Sequence, residues 1–387
     1  LPDILSGVVV TIELALLIVV SGLAAGLALP FIRPAFAQQA EPYVMGSLFP
    51  MSGPNAEFGE AFTRGAQVAL SHIAADNMLR RPVRLQAEDS QALPQPSVVG
   101  MNKLISIDRA VWVLVSWTAT SKAVAPIGDR AKVIMVNGGA VGPDLAALSP
   151  YFWNVIALAH LEVQVMVPFL VRQRNAKRVA LIYVDDPLGD GILAQLREQM
   201  PRNGGELVGS FSVPRAAQQF GPVVARVRQA RPDAVFVASF GSQNAQIVKA
   251  LRDNGVTQTI CSYSAFGIDS LRTMPEAEGA LFTSQKLDFA GNHALTRRFA
   301  ADFQSRFGSA PLVYHANYYN AAYLFGLLAR QVEQAGGTVN GETMRAAMLA
   351  TRKFDLVGGE GQFDENGNML TQMQVNEIRG QQFVPVG

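Results

Sequence analysis

Arg178-Val179-Ala180-Leu181-Ile182-Tyr183-Val184, followed by the turn Asp185-Asp186-Pro187-Leu188-Gly189, decides the fold. A short, almost unbroken apolar run reads as a strand buried on both faces, the habit of parallel sheets. Gly191 to Met200 then reads as a helix, stopped by Pro201-Arg202-Asn203-Gly204-Gly205. The alternation continues downstream. Glu206 to Val213 is a strand, Phe220 to Ala230 a helix, and Ala234 to Ala238 a strand. Ser242 to Asp253 is a helix and Gln258 to Tyr263 a strand, with the block closing near residue 285. Strands separated by helices of about 10–15 residues imply parallel sheets covered on both sides.

The upstream block has the same grammar. Tyr43 to Phe49 is a strand and Met51-Ser52-Gly53-Pro54-Asn55 a turn. Gly59 to Asn77 carries Phe62, Ala66, Ala69, Leu70 and Ile73 at helical spacing. Val83 to Asp89 is a strand, Pro96 to Ile107 a helix, and Val111 to Val115 a buried strand. Ser121 to Arg130 is a short helix, and Val133 to Val136 a strand closed by Asn137-Gly138-Gly139. This block ends near residue 157, and Val163 to Arg174 opens the next as a helix. Each block is a candidate doubly wound lobe, whose ligands bind at the carboxyl ends of its strands. The last hundred residues are mostly helical: Leu295 to Phe307, Ala316 to Ala335 and Thr343 to Ala350. Phe299, Phe303 and Phe307 form one apolar stripe, which reads as core.

Length and composition agree with two domains. The chain has 387 residues, 49% hydrophobic and 16% charged. Lys+Arg is 32 and Asp+Glu 31, so no global field holds nucleic acid or a basic partner. Cys261 is the single cysteine, which excludes an internal disulfide and a Cys-rich metal site. His72, His160, His293 and His315 are scattered, none at metal-ligand spacing from another. No metal and no cofactor is expected.

The N-terminal segment reads as a targeting signal. Val8 to Leu29 is apolar except for Glu13, and Ala35-Phe36-Ala37 fits the small-x-small pattern of signal peptidase. Residues 1–37 are assigned to a signal peptide, removal of which leaves a soluble exported body. An uncleaved anchor is the alternative, since the run is long enough to span a bilayer and Leu1 to Gly7 lacks the usual positive charge. Either way the folded part lies outside the cytoplasm.

Catalytic signatures are not found: no complete phosphate loop, no H-E-x-x-H, no G-x-S-x-G. Gly189-Asp190-Gly191 is half of a dinucleotide fingerprint, with Ala194 at the third glycine position and no acid placed downstream for the ribose. Asp185-Asp186 reads as a turn or helix cap rather than a catalytic pair. Cys261 reads as a small core residue.

The stretch Phe49-Pro50-Met51-Ser52-Gly53-Pro54-Asn55-Ala56-Glu57-Phe58-Gly59 resembles the opening of the leucine/isoleucine/valine-type periplasmic solute-binding proteins. Gly65 to Asn77 resembles that family's next helix, Val133 to Leu145 its strand with a small-residue loop, Tyr183 to Gly191 its D-x-x-Y-G-x-G loop, and Gly359 to Gly367 its G-x-x-x-F-D-x-x-G signature. The resemblance implies the α/β type I periplasmic binding protein fold, two Rossmann-like doubly wound lobes joined by three hinge crossovers. Residues 42–157 and 286–369 would form lobe 1, and 158–285 and 370–387 lobe 2. It also implies a monomer in the periplasm that takes up a small solute by lobe closure and delivers it to a membrane ABC permease.

Carried over, the resemblance places Thr118 at a hydroxyl that holds a ligand carboxylate, Gly139 at a backbone N–H donor, and Val141 where the family has a second hydroxyl. Aromatic walls fall on Phe58, Leu188 and Phe240, and Trp117 adds a ring. The family's ammonium-binding carboxylates fall on Ala159 and Ser264, neither acidic. An ammonium without an acceptor in a closed cleft loses several kcal/mol of hydration. The expected solute is therefore hydrophobic or aromatic with one polar end, a carboxylate or an amide, and a zwitterionic amino acid is disfavoured. A membrane-anchored ligand-sensing domain and a secreted α/β enzyme using the same cleft are the competing functions.

Overall fold

The apolar runs become the centres of two sheets in a computed structural model that describes residues 41–387. The signal-peptide reading lies outside the described residues. The first sheet has β1 (Tyr43–Phe49), β2 (Val83–Asp89), β3 (Trp112–Val115), β4 (Ile134–Asn137) and β5 (Phe152–Asn154), in the order β2-β1-β3-β4-β5. Every pairing in it is parallel. Helices α1 (Ala56–Ala75), α2 (Pro94–Ser106) and α3 (Thr118–Ala131) connect its strands.

Next come α4 (Ala159–Pro168), β6 (Arg178–Val184), α5 (Pro187–Arg202), β7 (Glu206–Val213), α6 (Gly221–Ala230), β8 (Ala234–Ala238), α7 (Ser242–Asp253), β9 (Thr259–Ser262), α8 (Asp269–Arg272) and β10 (Leu281–Gln285). The chain then runs through α9 (Ala294–Phe307), α10 (Val313–Gln334) and α11 (Gly341–Thr351). A small antiparallel sheet follows, made of β11 (Lys353–Leu356), β12 (Gly359–Phe363) and β13 (Met369–Leu370). Finally β14 (Met373–Arg379) and β15 (Gln382–Pro385) add antiparallel strands to β10, giving the second sheet the order β15-β14-β10-β9-β8-β6-β7. The chain thus passes between the two sheet systems at 155–158, 286–293 and 371–372.

Helix α10 packs along α1, with the Phe62 and Tyr318 rings stacked at 4.2 Å. The predicted aromatic stripe of α9 is core: Phe299 and Phe303 are fully buried, 5.7 Å apart.

Helix starts are where the structure differs from the sequence reading. Helix α3 begins at Thr118 rather than Ser121, because Trp117 takes the N-cap position with φ 60°. Helix α5 begins at Pro187, not Gly191, since Asp186 caps it by accepting from the N–H groups of Leu188 and Gly189. Polar or small first turns carry no apolar period, so periodicity starts a helix late. Gly189 and Gly191 are packing residues within that helix. A Cβ on Gly189 would fall 1.9 Å from Val184 O, and one on Gly191 2.7 Å from Pro143 Cδ. Among the described residues no helix is long and apolar enough to cross a membrane.

Candidate functional site

Both parallel sheets turn the carboxyl ends of their strands toward one cavity. Trp117 and Thr118 follow β3, and Gly139, Ala140 and Val141 follow β4. Asp186 and Leu188 follow β6, Phe240 follows β8, and Tyr263 and Ala265 follow β9. Phe58 and Tyr314 come from the first turns of α1 and α10. The site therefore sits where open α/β sheets bind ligands.

Rings fill it. Phe58 meets Trp117 edge-on at 5.5 Å and Tyr314 at 5.3 Å, and Trp117 meets Phe240 of the second sheet at 5.8 Å. The cavity left between them is about 20 Å³, roughly what one water needs. A guest larger than one water does not fit between Trp117 and Phe240 as they stand here.

The two sides also touch outside the rings. Arg215 donates to Ala92 O at 2.6 Å, Ser270 N–H donates to Glu57 Oε1 at 3.0 Å, and Gly191 lies against Pro143.

The first-sheet side is rich in donors. Trp117 Nε1 is buried and has no hydrogen-bond partner among the described residues, a state that costs about 1–3 kcal/mol. The same residue holds φ 60°, a conformation non-glycine residues rarely adopt. Thr118 Oγ1 accepts the Gly142 N–H at 3.1 Å, and no acceptor for its own proton is found among the described residues. Thr118 stands in the first turn of α3, whose free N–H groups and dipole favour an anion. Val141 N–H also has no partner among the described residues, whereas the Val141 carbonyl accepts from Ala159.

Gly139 departs from expectation. It lines the cavity, but its N–H donates to Asn137 Oδ1 at 3.1 Å. The Asn137 side chain folds back on its own loop, taking the Ala140 N–H as well, at 2.7 Å. The donor assigned to Gly139 is thus already spent.

The expected absence of a carboxylate is overturned. Asp186 lines the cavity. Burial raises its carboxyl above the ordinary range, while the Gly189 N–H, the Arg215 guanidinium and the Leu188 N–H pull the other way. Its Oδ2 stands 4.0 Å from Arg215 Nη1. The sequence reading recognised a cap here but not that a capping carboxylate on a strand's carboxyl end also faces the cleft. The ground on which a zwitterion was disfavoured, a site with no carboxylate in its lining, therefore does not hold.

Of the residues expected at the site, Phe58, Trp117, Thr118, Gly139, Val141, Leu188 and Phe240 line the cavity. Ser264 does not. It stands behind the wall, bonded to Glu162 and facing the Tyr314 hydroxyl at 3.4 Å. Ala140, Asp186, Tyr263, Ala265 and Tyr314 were not foreseen. Tyr314 opens a helix read three residues late, which hid its place at the cavity.

Cys261, His72 and His315 stand outside the cavity lining. Cys261 is fully buried in β9, and burial pushes its thiol far above the range of a nucleophile. His72 bridges Tyr319 Oη at 2.7 Å and Asp302 Oδ2 at 2.8 Å. His315 accepts the Leu312 N–H at the start of α10. No cluster suited to a metal is found among the described residues.

Three comparisons bear on this geometry. The sequence profile of the family described as periplasmic binding protein matches residues 42–382. An amino acid binding protein from Pseudomonas aeruginosa is 26% identical over 59% of this chain and 62% of its own length. This chain thus spans rather less than two thirds of that relative. A solute binding protein of an ABC transporter from R. palustris, solved with benzoate, superimposes with TM-score 0.81 at 18% identity, over 89% of this chain and 96% of that one. The branched-chain amino acid transporter substrate binding protein LivJ from Streptococcus pneumoniae, solved with isoleucine, gives the same TM-score of 0.81 at 18% identity, over 89% and 99%.

Proposed function

We propose, on the premise that this chain belongs to the periplasmic binding protein family, that it captures a small carboxylate with an apolar or aromatic body. The solute would close two halves around itself and be handed to an ABC permease outside the cytoplasm. The halves are residues 42–157 with 286–369, and 158–285 with 370–387. One observation carries this reading: the orphan Trp117 indole N–H, beside the free Thr118 proton and the Val141 N–H, gathered where an aromatic wall is ready to enclose a guest. A solute oxygen would satisfy donors that now have no partner, and the rings of Phe58, Phe240 and Tyr263 would cover the rest. Neutral donors and a helix N-terminus suffice for a carboxylate.

We read no catalytic step into the site. Asp186 is committed to its helix cap and to Arg215. The binding proteins solved with benzoate and with isoleucine bracket the guests this cavity suits, one a bare aromatic acid and one a branched amino acid.

Isothermal titration with benzoate, isoleucine and benzamide tests the reading. Carboxylates should bind, with benzamide weaker than benzoate by tenfold or more, and each solute should be recovered unchanged. Equal affinity for benzamide and benzoate would remove the carboxylate from the account.

A further inference from the structure

Behind the cavity wall lies a charge that solute binding as described does not use. Glu162, in the first turn of α4, is 1% exposed. Its carboxylate accepts from Ser264 N–H at 2.6 Å, from Ser264 Oγ at 2.8 Å and from Thr283 Oγ1 at 2.8 Å. Burial pushes Glu162 up to about 7, against the pull of those three donors. Tyr314, on the cavity wall, places its hydroxyl 3.4 Å from Ser264 Oγ.

Above about pH 7 the Glu162 carboxylate is ionised and can only accept, and this fixes the direction of the chain. Ser264 must donate its hydroxyl proton to Glu162, so it offers Tyr314 only lone pairs. Tyr314 then donates to Ser264 and is left with lone pairs for the cavity. A single carboxylate two residues removed from the solute thereby sets the polarity of the wall.

We propose that Glu162 is a specificity-determining residue that acts through Ser264 to hold Tyr314 Oη as an acceptor, so that the site selects solutes carrying a hydroxyl or ammonium donor away from their carboxylate. This rests on the solute-binding reading. Glu162→Gln inverts the order: its amide can donate to Ser264 Oγ, Ser264 can donate to Tyr314, and the Tyr314 proton is released toward the cavity.

The test uses two matched probe pairs on the full chain, 4-hydroxybenzoate against benzoate and L-phenylalanine against 3-phenylpropionate, titrated calorimetrically at pH 8, where Glu162 is ionised. The native protein should prefer the donor-bearing member of at least one pair by about tenfold. Glu162→Gln should reduce that ratio below threefold while affinity for the donor-less member holds within threefold. Tyr314→Phe should do the same, and the double variant should lose no more preference than either single one. Tyr314→Phe alone keeps the test open should Glu162→Gln fold poorly. Equal weakening of both members by Glu162→Gln, or a preference that survives Tyr314→Phe, overturns the inference and leaves solute binding intact. Binding of none of the four probes by the native protein overturns both.

Discussion

Gly191→Ala separates folding from closure because the two effects have opposite signs. Gly191 lies inside α5, where alanine is preferred over glycine by about 0.5–1 kcal/mol. The new Cβ would stand 2.7 Å from Pro143 Cδ, an atom of the loop after β4 in the first sheet. That is inside ordinary carbon–carbon contact of about 3.5–4.0 Å, and overpacking of this kind costs about 1–3 kcal/mol. If the halves part in the absence of solute, the open protein gains helix stability and feels no clash. If the solute-bound protein brings α5 against Pro143 as here, it bears the full cost. Thermal unfolding without solute should therefore rise by about 1 °C for a chain of this size. Calorimetric Kd for benzoate or isoleucine should rise about 5- to 150-fold. A lower melting temperature without solute would mean that the contact is permanent and that no open state exists. An unchanged Kd would mean that closure does not bring these surfaces together.

Thr118→Val should lose twice. The buried Gly142 N–H loses its acceptor, costing about 1–3 kcal/mol in urea unfolding, and the solute loses a donor worth about 0.5–1.5 kcal/mol in Kd. Loss of neither would remove the hydroxyl from both roles. Trp117→Phe should abolish any solute-induced change in tryptophan fluorescence, because Trp112 and Trp153 pack against each other at 5.6 Å away from the cavity. Persistence of the signal would move the solute elsewhere. Glu162 makes stability depend on pH. Burial raises its carboxyl from 4.5 to about 7, so the folded state holds its proton more tightly than the unfolded state does. Stability should be fully present below pH 4.5 and fall by at most about 3 kcal/mol as pH passes 7. Glu162→Gln should flatten that slope in urea titrations between pH 4.5 and 8.

Much of the fold was readable because Val111 to Val115, Val133 to Val136, Val179 to Val184 and Ala234 to Ala238 are apolar without interruption, as strands buried on both faces must be. The destination of Met373–Arg379 was harder. Its residues alternate unevenly and it pairs antiparallel with β10, a partner set by a return over some ninety residues that no local pattern encodes. At the site, wall positions such as Phe58, Leu188 and Phe240 came with the family resemblance. Polarity did not. Gly139 looked like a free donor until Asn137 folded onto it. Asp186 looked like a cap alone, and Glu162 carried no signal, its place beneath Ser264 being set by tertiary packing. Such pairings are long-range facts, and a sequence shows only that the partners exist.

Small-angle X-ray scattering of the protein with and without a solute that binds calorimetrically tests the central claim most directly. Saturating solute should shrink the radius of gyration, as Trp117 and Phe240 are drawn together around the guest. An unchanged radius alongside measurable binding heat would contradict capture by closing halves.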